Sequence, residues 1–300
     1  MSIPTASYES IAHDYSSAIE WMGYLGVKVT SGRTTHYKRV IEYWKNAYKG
    51  APENEVKVAF PDFVSSMFEI NEFIDIYNAF KNEPVEKLAS IRDKLTKGVN
   101  GPVNSVDETP KTTTARNFIF ETLMAARSHH PHRGVSAILD AESDTAISIN
   151  NKMLWVECKR ITSLTKIESN IKIASSKLEN ILTQKRGSRH RGIVAIDVTK
   201  ILNPNDHLFV QNNDLMLLES TDRMMEKFIG EHSNQWEKVY ARRSKKVIGT
   251  VIYFSFMATS EARNLLVRIG QWAVNPRLNA RNSDSLLLQS FVHALQVSKF

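Results

Sequence analysis

The chain is poor in cysteine, with one in 300 residues. That residue, Cys158, excludes an intramolecular disulfide and is typical of a reducing, intracellular setting, so we expect a cytoplasmic protein. Long apolar runs are also missing: none approaches the length of a membrane span, and the amino terminus has no signal-peptide pattern. We therefore expect no association with a membrane.

Acidic residues are scarce in the second part of the chain. Residues 1–110 hold 12 Lys and Arg against 15 Asp and Glu, whereas residues 111–300 hold 27 against 17. The net charge of +7 therefore arises wholly from the second part. Such an excess suits a polyanionic partner, because neutralising phosphates releases condensed counterions. Solubility alone is the alternative explanation.

The first part of the chain has helical periodicity. Apolar residues recur at helical spacing in four segments, residues 7–23, 35–48, 60–80 and 84–97. A stretch rich in Pro, Gly, Ser, Thr and Asn follows at residues 98–114 and has the composition of a linker. We therefore predict a helical N-terminal domain at residues 1–110 and a second domain at residues 111–300.

Strands and helices alternate in the second part. Strands are predicted at residues 135–139, 145–149, 153–156, 192–199 and 247–257. Helices are predicted at residues 164–182, 216–240, 262–272 and 285–297. Beyond residue 199 no site residue is predicted.

A tight hairpin is predicted at Asn150 and Asn151. Apolar-rich runs at residues 145–149 and 153–156 flank this pair, and asparagine tolerates the positive φ that a two-residue turn needs. If both asparagines lie in the loop, the residues on either side pair symmetrically about it. A one-residue change in the loop would break that alignment.

The symmetric register places Asp144 directly across from Glu157. Lys159 shares the face of Glu157, because side chains alternate along a strand. Opposed carboxylates are destabilising unless a cation lies between them, and Mg²⁺ commonly takes one or two carboxylates. The three residues are therefore candidates for a metal site. A surface hairpin with a cross-strand salt bridge is the alternative.

This arrangement resembles the core motif of a known nuclease superfamily. Asp144, followed by Glu157-Cys158-Lys159 at the end of the next apolar run, is similar to the PD-(D/E)XK motif of proteins with the restriction-endonuclease-like fold. That family adds a glutamate from the preceding helix, which Glu121 matches.

The order of the remaining elements is part of the resemblance. An amphipathic helix at residues 164–182 and a buried strand at residues 192–199 follow the lysine, as in the family. The resemblance covers residues 115–199. Ser143 replaces the proline of the motif, and Asp140 is the rival candidate for its aspartate.

The resemblance implies a Mg²⁺-dependent phosphodiesterase, with Mn²⁺ able to substitute for Mg²⁺. Asp144, Glu157 and the backbone carbonyl of Cys158 would bind the metal, with Glu121 in support. Lys159 would orient the attacking water or stabilise the pentacoordinate phosphate.

Glu121 also stands out from the residues alone. It is the only charged residue in residues 117–126, and its neighbours three and four positions away along the helix include Phe118, Met124 and Ala125. We favour burial of this carboxylate beside the metal site. A partly exposed helical glutamate is the alternative.

Six residues are candidates for nucleic-acid contacts through their positive charge: Arg160, Lys177, Lys185, Arg186, Arg189 and Arg191. Lys177 lies where related nucleases often carry a polar residue facing the site. The dense basic segment at residues 185–191 joins a helix to a strand, and we expect it close to the site. We give equal weight to two interpretations of this segment, contact with phosphates and plain solvated surface.

The sequence thus predicts an α/β protein with a restriction-endonuclease-like mixed central sheet flanked by helices, and with a helical N-terminal domain. The expected activity is metal-dependent endonucleolytic hydrolysis of DNA, by analogy in restriction or phage defence. A nuclease specific for RNA or branched DNA, and a non-catalytic nucleic-acid-binding protein, are the alternatives. DNA is favoured over RNA as the partner, and a homodimer or a partner subunit is possible.

Overall fold

Four α-helices lie in the described residues of the first part of the chain, before residue 110. In the computed structural model, which describes residues 3, 5–109, 111–262 and 265–296, they are α1 (Tyr8–Tyr24), α2 (Arg33–Asn46), α3 (Glu53–Phe80) and α4 (Ala89–Gly98). The four predicted helices are confirmed. The third begins at Glu53, earlier than predicted, and continues through Pro61, a residue that ordinarily kinks or ends a helix.

The apolar core of these helices continues into the rest of the molecule. Tyr37 and Phe73 belong to the same buried cluster as Ile119 of α5 (Thr114–Arg127) and Met257 of the sheet. The stretch at residues 98–114 therefore connects elements that pack on one another. The division into two domains at residue 110 stays a prediction.

The sheet is mixed and curled. In the described part of the chain its strands are β1 (Val135–Ile138), β2 (Thr145–Ile149), β3 (Lys152–Arg160), β4 (His190–Asp197), β5 (Phe209–Gln211), β6 (Val247–Ser260) and β7 (Leu265–Pro276). Strands β1, β2 and β3 form an antiparallel meander, and β4 and then β6 add in parallel. Because β7 pairs along one edge of β6, strands β4 and β5 share its other edge.

The prediction of a helix at residues 262–272 was wrong. Residues from Leu265 onward form β7, which pairs antiparallel with β6 from Leu265 opposite Ser260 to Pro276 opposite Gly249. Short apolar runs fit either period, and here the long pairing with β6 decides the structure.

Helices cover both faces of the sheet. On one face α6 (Ile167–Gln184) and α8 (Asp214–Tyr240) pack on side chains that include Trp155 and Val194. On the other face α5 and α9 (Asn282–Gln296) pack on Leu154, Val156 and Cys158. A short helix, α7 (Thr199–Leu202), follows β4. Alternation along β3 thus sends Glu157 towards α6 and places Cys158 in the apolar core.

A search for membrane-spanning helices in residues 3, 5–109, 111–262 and 265–296 finds none with the required length and apolar character.

Candidate active site

The hairpin between β2 and β3 has the predicted register. Asn150 and Asn151 have φ angles of 50° and 58°, the left-handed conformation that a two-residue hairpin turn requires. Thr145 lies opposite Val156, and the pairing continues symmetrically to the turn. Asp144, immediately before β2, is therefore directed at the end of β3.

The carboxylate of Asp144 lies beside the peptide that joins Glu157 to Cys158. Its Oδ2 accepts a hydrogen bond from the backbone N–H of Cys158 at 2.8 Å. Glu157 is buried, with 2% of its surface exposed. The rival, Asp140, is an exposed residue and is not among those lining the cleft that contains Asp144. Of the two candidate aspartates, Asp144 is therefore the one that lies beside Glu157 in the cleft.

Lys159 lies between the two carboxylates. Its Nζ is 3.6 Å from Asp144 Oδ2 and 3.8 Å from Glu157 Oε2. The same ammonium donates a hydrogen bond to the carbonyl oxygen of Cys158 at 2.7 Å. The end of the hairpin thus brings together the aspartate, the glutamate, the lysine and the carbonyl that the sequence selected.

Glu121 joins this group from α5. It is buried, and its Oε1 accepts a hydrogen bond from Asn117 Nδ2 at 2.7 Å. Burial, followed by repulsion from the nearby Asp144 carboxylate, raises the pKa of Glu121 to about 7. Burial of this glutamate beside the other carboxylates agrees with the favoured interpretation of its sequence context.

Asn117 positions Glu121 relative to the sheet. Its amide nitrogen binds the carboxylate of Glu121, while its Oδ1 accepts a hydrogen bond from the backbone N–H of Arg160 at 2.9 Å. One side chain therefore ties the helix to the end of β3. Asn117 lies one helical turn before Glu121, so helical spacing relates the two residues. The sequence analysis missed this relationship.

Lys94 of α4 is a second site residue that the sequence analysis missed. Its Nζ lies 3.2 Å from Glu121 Oε2 and donates a hydrogen bond to the backbone carbonyl of Asp144. The ammonium is thus bound between a carboxylate and a carbonyl of the site. Nothing in the spacing of the sequence relates α4 to the hairpin, because the contact depends on how the helices pack.

Lys177 belongs to α6, so it approaches the site from the face of the sheet that is opposite to α5. Its Nζ is 3.2 Å from Glu157 Oε2, while 53% of its side-chain surface stays exposed. Partial burial alone would lower the pKa of Lys177, but the attraction of the Glu157 and Asp144 carboxylates raises it. The prediction that Lys177 faces the site is therefore matched by its position.

The carboxylate of Glu157 is incompletely satisfied. Burial, and then repulsion from Asp144, raises the pKa of Glu157. Although two ammonium groups lie nearby, its buried Oε2 receives no hydrogen bond of acceptable geometry from any described residue. The ammonium of Lys177, 3.2 Å away, balances the charge of this oxygen without donating a well-directed hydrogen bond, so a cation or a water could take the unfilled donor position.

A cleft of about 580 Å³ opens above these groups. The helix α4 forms one wall and α6 the other, with the carboxylates between them. Its lining includes Lys94, Lys97, Phe118, Glu121, Asp144, Glu157, Lys177 and Asn180. The helical first part of the chain therefore helps to enclose the candidate site.

The donor set suits a hard cation with several water ligands. No group of three or more His, Cys, Asp and Glu residues forms a ready-made metal cage within the part of the chain that the structure describes. The available donors are carboxylate oxygens of Asp144 and Glu157 and the carbonyl of Cys158. Mg²⁺ accepts such oxygen ligands and commonly keeps water in its remaining positions. The Oε2 of Glu157, which is in ion pairs but receives no well-directed hydrogen bond, supports this fit.

Two predicted nucleic-acid contacts do not fit the structure. Arg160 is buried and forms ion pairs with Glu108 at 3.1 Å and with Asp197. Arg191 is also buried, and its Nε binds Asp284 at 2.7 Å. Both guanidinium groups neutralise buried carboxylates and are not accessible to a phosphate, so we withdraw them from the candidate interface.

The basic segment at residues 185–191 lies farther from the carboxylates than expected. In the parallel register His190 is opposite Met153, whereas Glu157 is opposite Val194. Four strand residues separate the two levels, a distance of about 13 Å. Lys185 pairs with Glu142 at 2.5 Å, whereas Arg186 and Arg189 are exposed.

Comparison with known proteins returns nothing: no protein-family model matches the chain, and neither a curated protein nor a solved structure matches it significantly.

Proposed function

We propose that this chain is a metal-dependent endonuclease of the PD-(D/E)XK type, which hydrolyses phosphodiester bonds in DNA. The observation that carries the proposal is the position of the Lys159 ammonium, 3.6 Å from Asp144 Oδ2 and 3.8 Å from Glu157 Oε2. Two carboxylates and a lysine at the end of a buried hairpin form a group that phosphate chemistry can use.

The order of elements supports a restriction-endonuclease-like core. From α5 the chain passes through the meander β1–β2–β3, crosses over through α6 and returns in β4, which is parallel to β3. This is the order of helix, hairpin, helix and buried strand that the resemblance in sequence implies. Glu121 lies on α5, Asp144 immediately before β2, and Glu157 and Lys159 on β3, which is the order that the resemblance implies.

Three groups would hold a Mg²⁺ ion, or Mn²⁺ in its place: the carboxylates of Asp144 and Glu157 and the carbonyl of Cys158. Glu121 would support the ion from α5. When bound, the ion acts as a Lewis acid towards a phosphoryl oxygen. The raised pKa of Glu121, about 7, leaves its carboxyl group able to hold a proton near neutral pH in the metal-free protein.

The lysines would act on the substrate. Lys159 is placed to stabilise the negative charge that develops on the phosphate or to orient the attacking water, because its ammonium is fixed by the carbonyl of Cys158. Lys177 keeps half of its side chain exposed at the wall of the cleft. It would contact a phosphate as the substrate enters.

DNA is the proposed substrate, and restriction or phage defence is the proposed setting by analogy with other free-standing nucleases of this type. The proposal extends to a cytoplasmic location and to a homodimer or partner subunit as the assembled form. RNA and branched DNA require the same chemistry at the carboxylates, so only a comparison of substrates separates them.

The test incubates purified protein with supercoiled plasmid, linear duplex, single-stranded DNA, branched DNA and RNA, each with Mg²⁺ or with EDTA. We expect cleavage of DNA with Mg²⁺, including the closed circular plasmid, and none with EDTA. Asp140→Asn is the matched control for Asp144→Asn, because it makes the same change at an exposed acid outside the cleft. Cleavage that persists in EDTA, or is lost only in the control variant, would refute the assignment. Cleavage of RNA alone would replace the proposed substrate.

A further inference from the structure

Three loops meet at one end of the sheet, at the start of the parallel strands. Gly192 of β4 lies opposite Val247 of β6, and Gly249 of β6 lies opposite Pro276 of β7. The loops that precede β4, precede β6 and follow β7 are therefore neighbours. The sequence analysis did not relate these three loops to one another, and it predicted no site residue beyond residue 199.

Five exposed cations in these loops form what we call the basic rim: Arg186, Arg189, Arg242, Lys245 and Arg281. Within the described ranges of the chain, no carboxylate lies at ion-pair distance from any of them. Of the acids nearby, Asp284 binds Arg191 at 2.7 Å and Glu179 binds Arg243 at 3.0 Å. Glu237 also lines the cavity, but its carboxylate accepts a hydrogen bond from the backbone N–H of Leu278 at 3.0 Å. The members of the basic rim are thus not engaged in ion pairs within the described residues, and the five cations outnumber the one carboxylate, that of Glu237, which lines the cavity without an ion pair.

The loops enclose a cavity of about 600 Å³, and the cations inside it are already bound. Arg191 is held by Asp284. Arg277 donates hydrogen bonds to backbone carbonyls, among them that of Ser244 at 2.8 Å. Lys246 donates to two further backbone carbonyls, each at 3.2 Å. These donors hold the loops together and have little capacity left for a ligand.

The free charges lie at the mouth of the cavity and beyond it. Lys245 and Arg281 line the cavity and are exposed, while the other three members of the basic rim extend the positive surface. A small anion inside the cavity would meet donors that are already used. A ligand that contacts several members of the basic rim must instead be extended and carry repeated negative charge, as a nucleic-acid backbone does.

The pKa of His190 also indicates a positive electrostatic potential at this end of the sheet. Burial lowers its pKa, and the ammonium groups of Lys246 and Lys185 lower it further. A site where protonation of histidine is opposed by surrounding cations is one where an approaching phosphate is attracted.

We propose that the basic rim binds backbone phosphates of the same nucleic-acid strand whose scissile bond lies at the carboxylate cleft. This inference rests on the proposed function for the identity of the polyanion, but its charge argument stands apart from cleavage. The level of His190 is about 13 Å from that of Glu157 along β3 and β4. A duplex advances about 3.4 Å per base pair, so about four base pairs cover that distance.

Lys177 and Lys185 provide positive charge between the cleft and the basic rim. Both belong to the segment formed by α6 and its carboxyl end, and eight residues of helix span about 12 Å. Lys185 packs its ammonium over the ring of Trp155 at 5.2 Å and pairs with Glu142. The protein surface thus offers a cation at each stage of the proposed path.

The test compares wild type with Lys245→Ala/Arg281→Ala in EDTA, where binding is measured without metal-dependent cleavage. The matched control is Lys38→Ala/Arg39→Ala, which removes the same two charge types from exposed positions of α2. Affinity is measured against salt concentration for a duplex of about 24 base pairs, which is long enough to reach from the cleft to the basic rim.

We expect the variant of the basic rim to lose affinity for the duplex and to flatten its salt slope by about one unit per lost phosphate contact, about two in all. The control should match wild type in both affinity and salt slope. Equal slopes for the two double variants would overturn the proposal, as would a wild type that binds no duplex. Loss of binding to anionic phosphatidylserine vesicles, with DNA binding unchanged, would also overturn it. If the expected slopes are found but wild type does not cleave DNA with Mg²⁺, the binding surface stands and the nuclease proposal fails.

Discussion

Asp144 accepts a hydrogen bond from the backbone N–H of Cys158, 2.8 Å away across the hairpin. This bond fixes an acidic side chain beside Glu157, where the two carboxylates repel each other. It also means that the side chain has a structural role besides any role in metal binding. The two roles are separable, because an asparagine oxygen can accept the same hydrogen bond without carrying charge.

The first prediction concerns stability without metal. Asp144→Asn should unfold at the same or a higher denaturant concentration than wild type, because it keeps the acceptor for Cys158 N–H and removes repulsion with Glu157. Asp144→Ala should lose about 1–3 kcal/mol relative to Asp144→Asn, since the N–H is left without a partner. Urea unfolding in EDTA measures both. Equal stability of the two variants would show that the hydrogen bond contributes nothing.

The second prediction concerns Lys94. Its ammonium neutralises Glu121 and lies close to Asp144. It therefore supplies part of the positive charge that a divalent ion would bring to these carboxylates. Lys94→Ala should destabilise the metal-free protein by about 1 kcal/mol or more, and Mg²⁺ should then stabilise it more than it stabilises wild type. Thermal unfolding with and without Mg²⁺ measures the difference.

Lys97→Ala is the control for this experiment. Lys97 lines the same wall of the cleft but contacts the ring of Phe118, at 4.9 Å, rather than a carboxylate. Its response to Mg²⁺ should equal that of wild type. A Lys94 variant that responds to Mg²⁺ less than wild type would contradict the competition between ammonium and metal.

The third prediction concerns pH. The pKa of Glu121 is about 7 in the folded protein, raised from 4.5 by burial and by Asp144. A carboxyl group with a raised pKa favours the folded state fully below pH 4.5 and loses that contribution as the pH rises through 7. Metal-free wild type should therefore lose stability between about pH 5 and pH 8, and Glu121→Gln should lose less.

Metal binding should have the opposite pH dependence. Mg²⁺ binds the ionised carboxylate, so its affinity should rise from pH 6 to pH 8 while the proton is displaced. Calorimetric titration at several pH values measures the affinity, and Glu121→Gln should flatten its dependence on pH. A flat profile in wild type would remove Glu121 from the metal site.

The fourth prediction concerns Arg160. Because its guanidinium pairs with buried Glu108 and Asp197, Arg160→Ala should cost about 3–5 kcal/mol of stability by leaving those charges uncompensated. Exposed Arg186→Ala should leave stability nearly unchanged. Urea unfolding of both variants distinguishes the roles. A stable Arg160→Ala protein that loses only DNA affinity would restore its original assignment.

The parts of the site that could be predicted depend on local rules. Two asparagines permit the left-handed turn, the turn sets the register, and the register brings Asp144 to Glu157 and Lys159. Each step involves residues close together in sequence, so strand geometry is enough to predict it.

The parts that could not be predicted depend on distant contacts. Lys94 reaches the site only because α4 packs on α5, and the burial of Arg160 depends on Glu108 and Asp197, which lie far from it in sequence. The strand β7 is decided by its pairing with β6. The order of the elements could be predicted because each has its own periodicity, but the partners of charged side chains had no such local signal.

The most direct measurement follows Mg²⁺-dependent cleavage of plasmid DNA and the Mn²⁺-induced rise in Tm on the same preparations of wild type, Asp144→Asn and Lys159→Ala. We expect Asp144→Asn to lose both cleavage and metal stabilisation. Lys159→Ala should keep most of the metal stabilisation while cleavage falls about a hundredfold or more, as for the loss of one group that stabilises charge in the transition state. Wild-type cleavage that Asp144→Asn retains in full, or a Tm that Mn²⁺ leaves unchanged in every protein, would contradict the account.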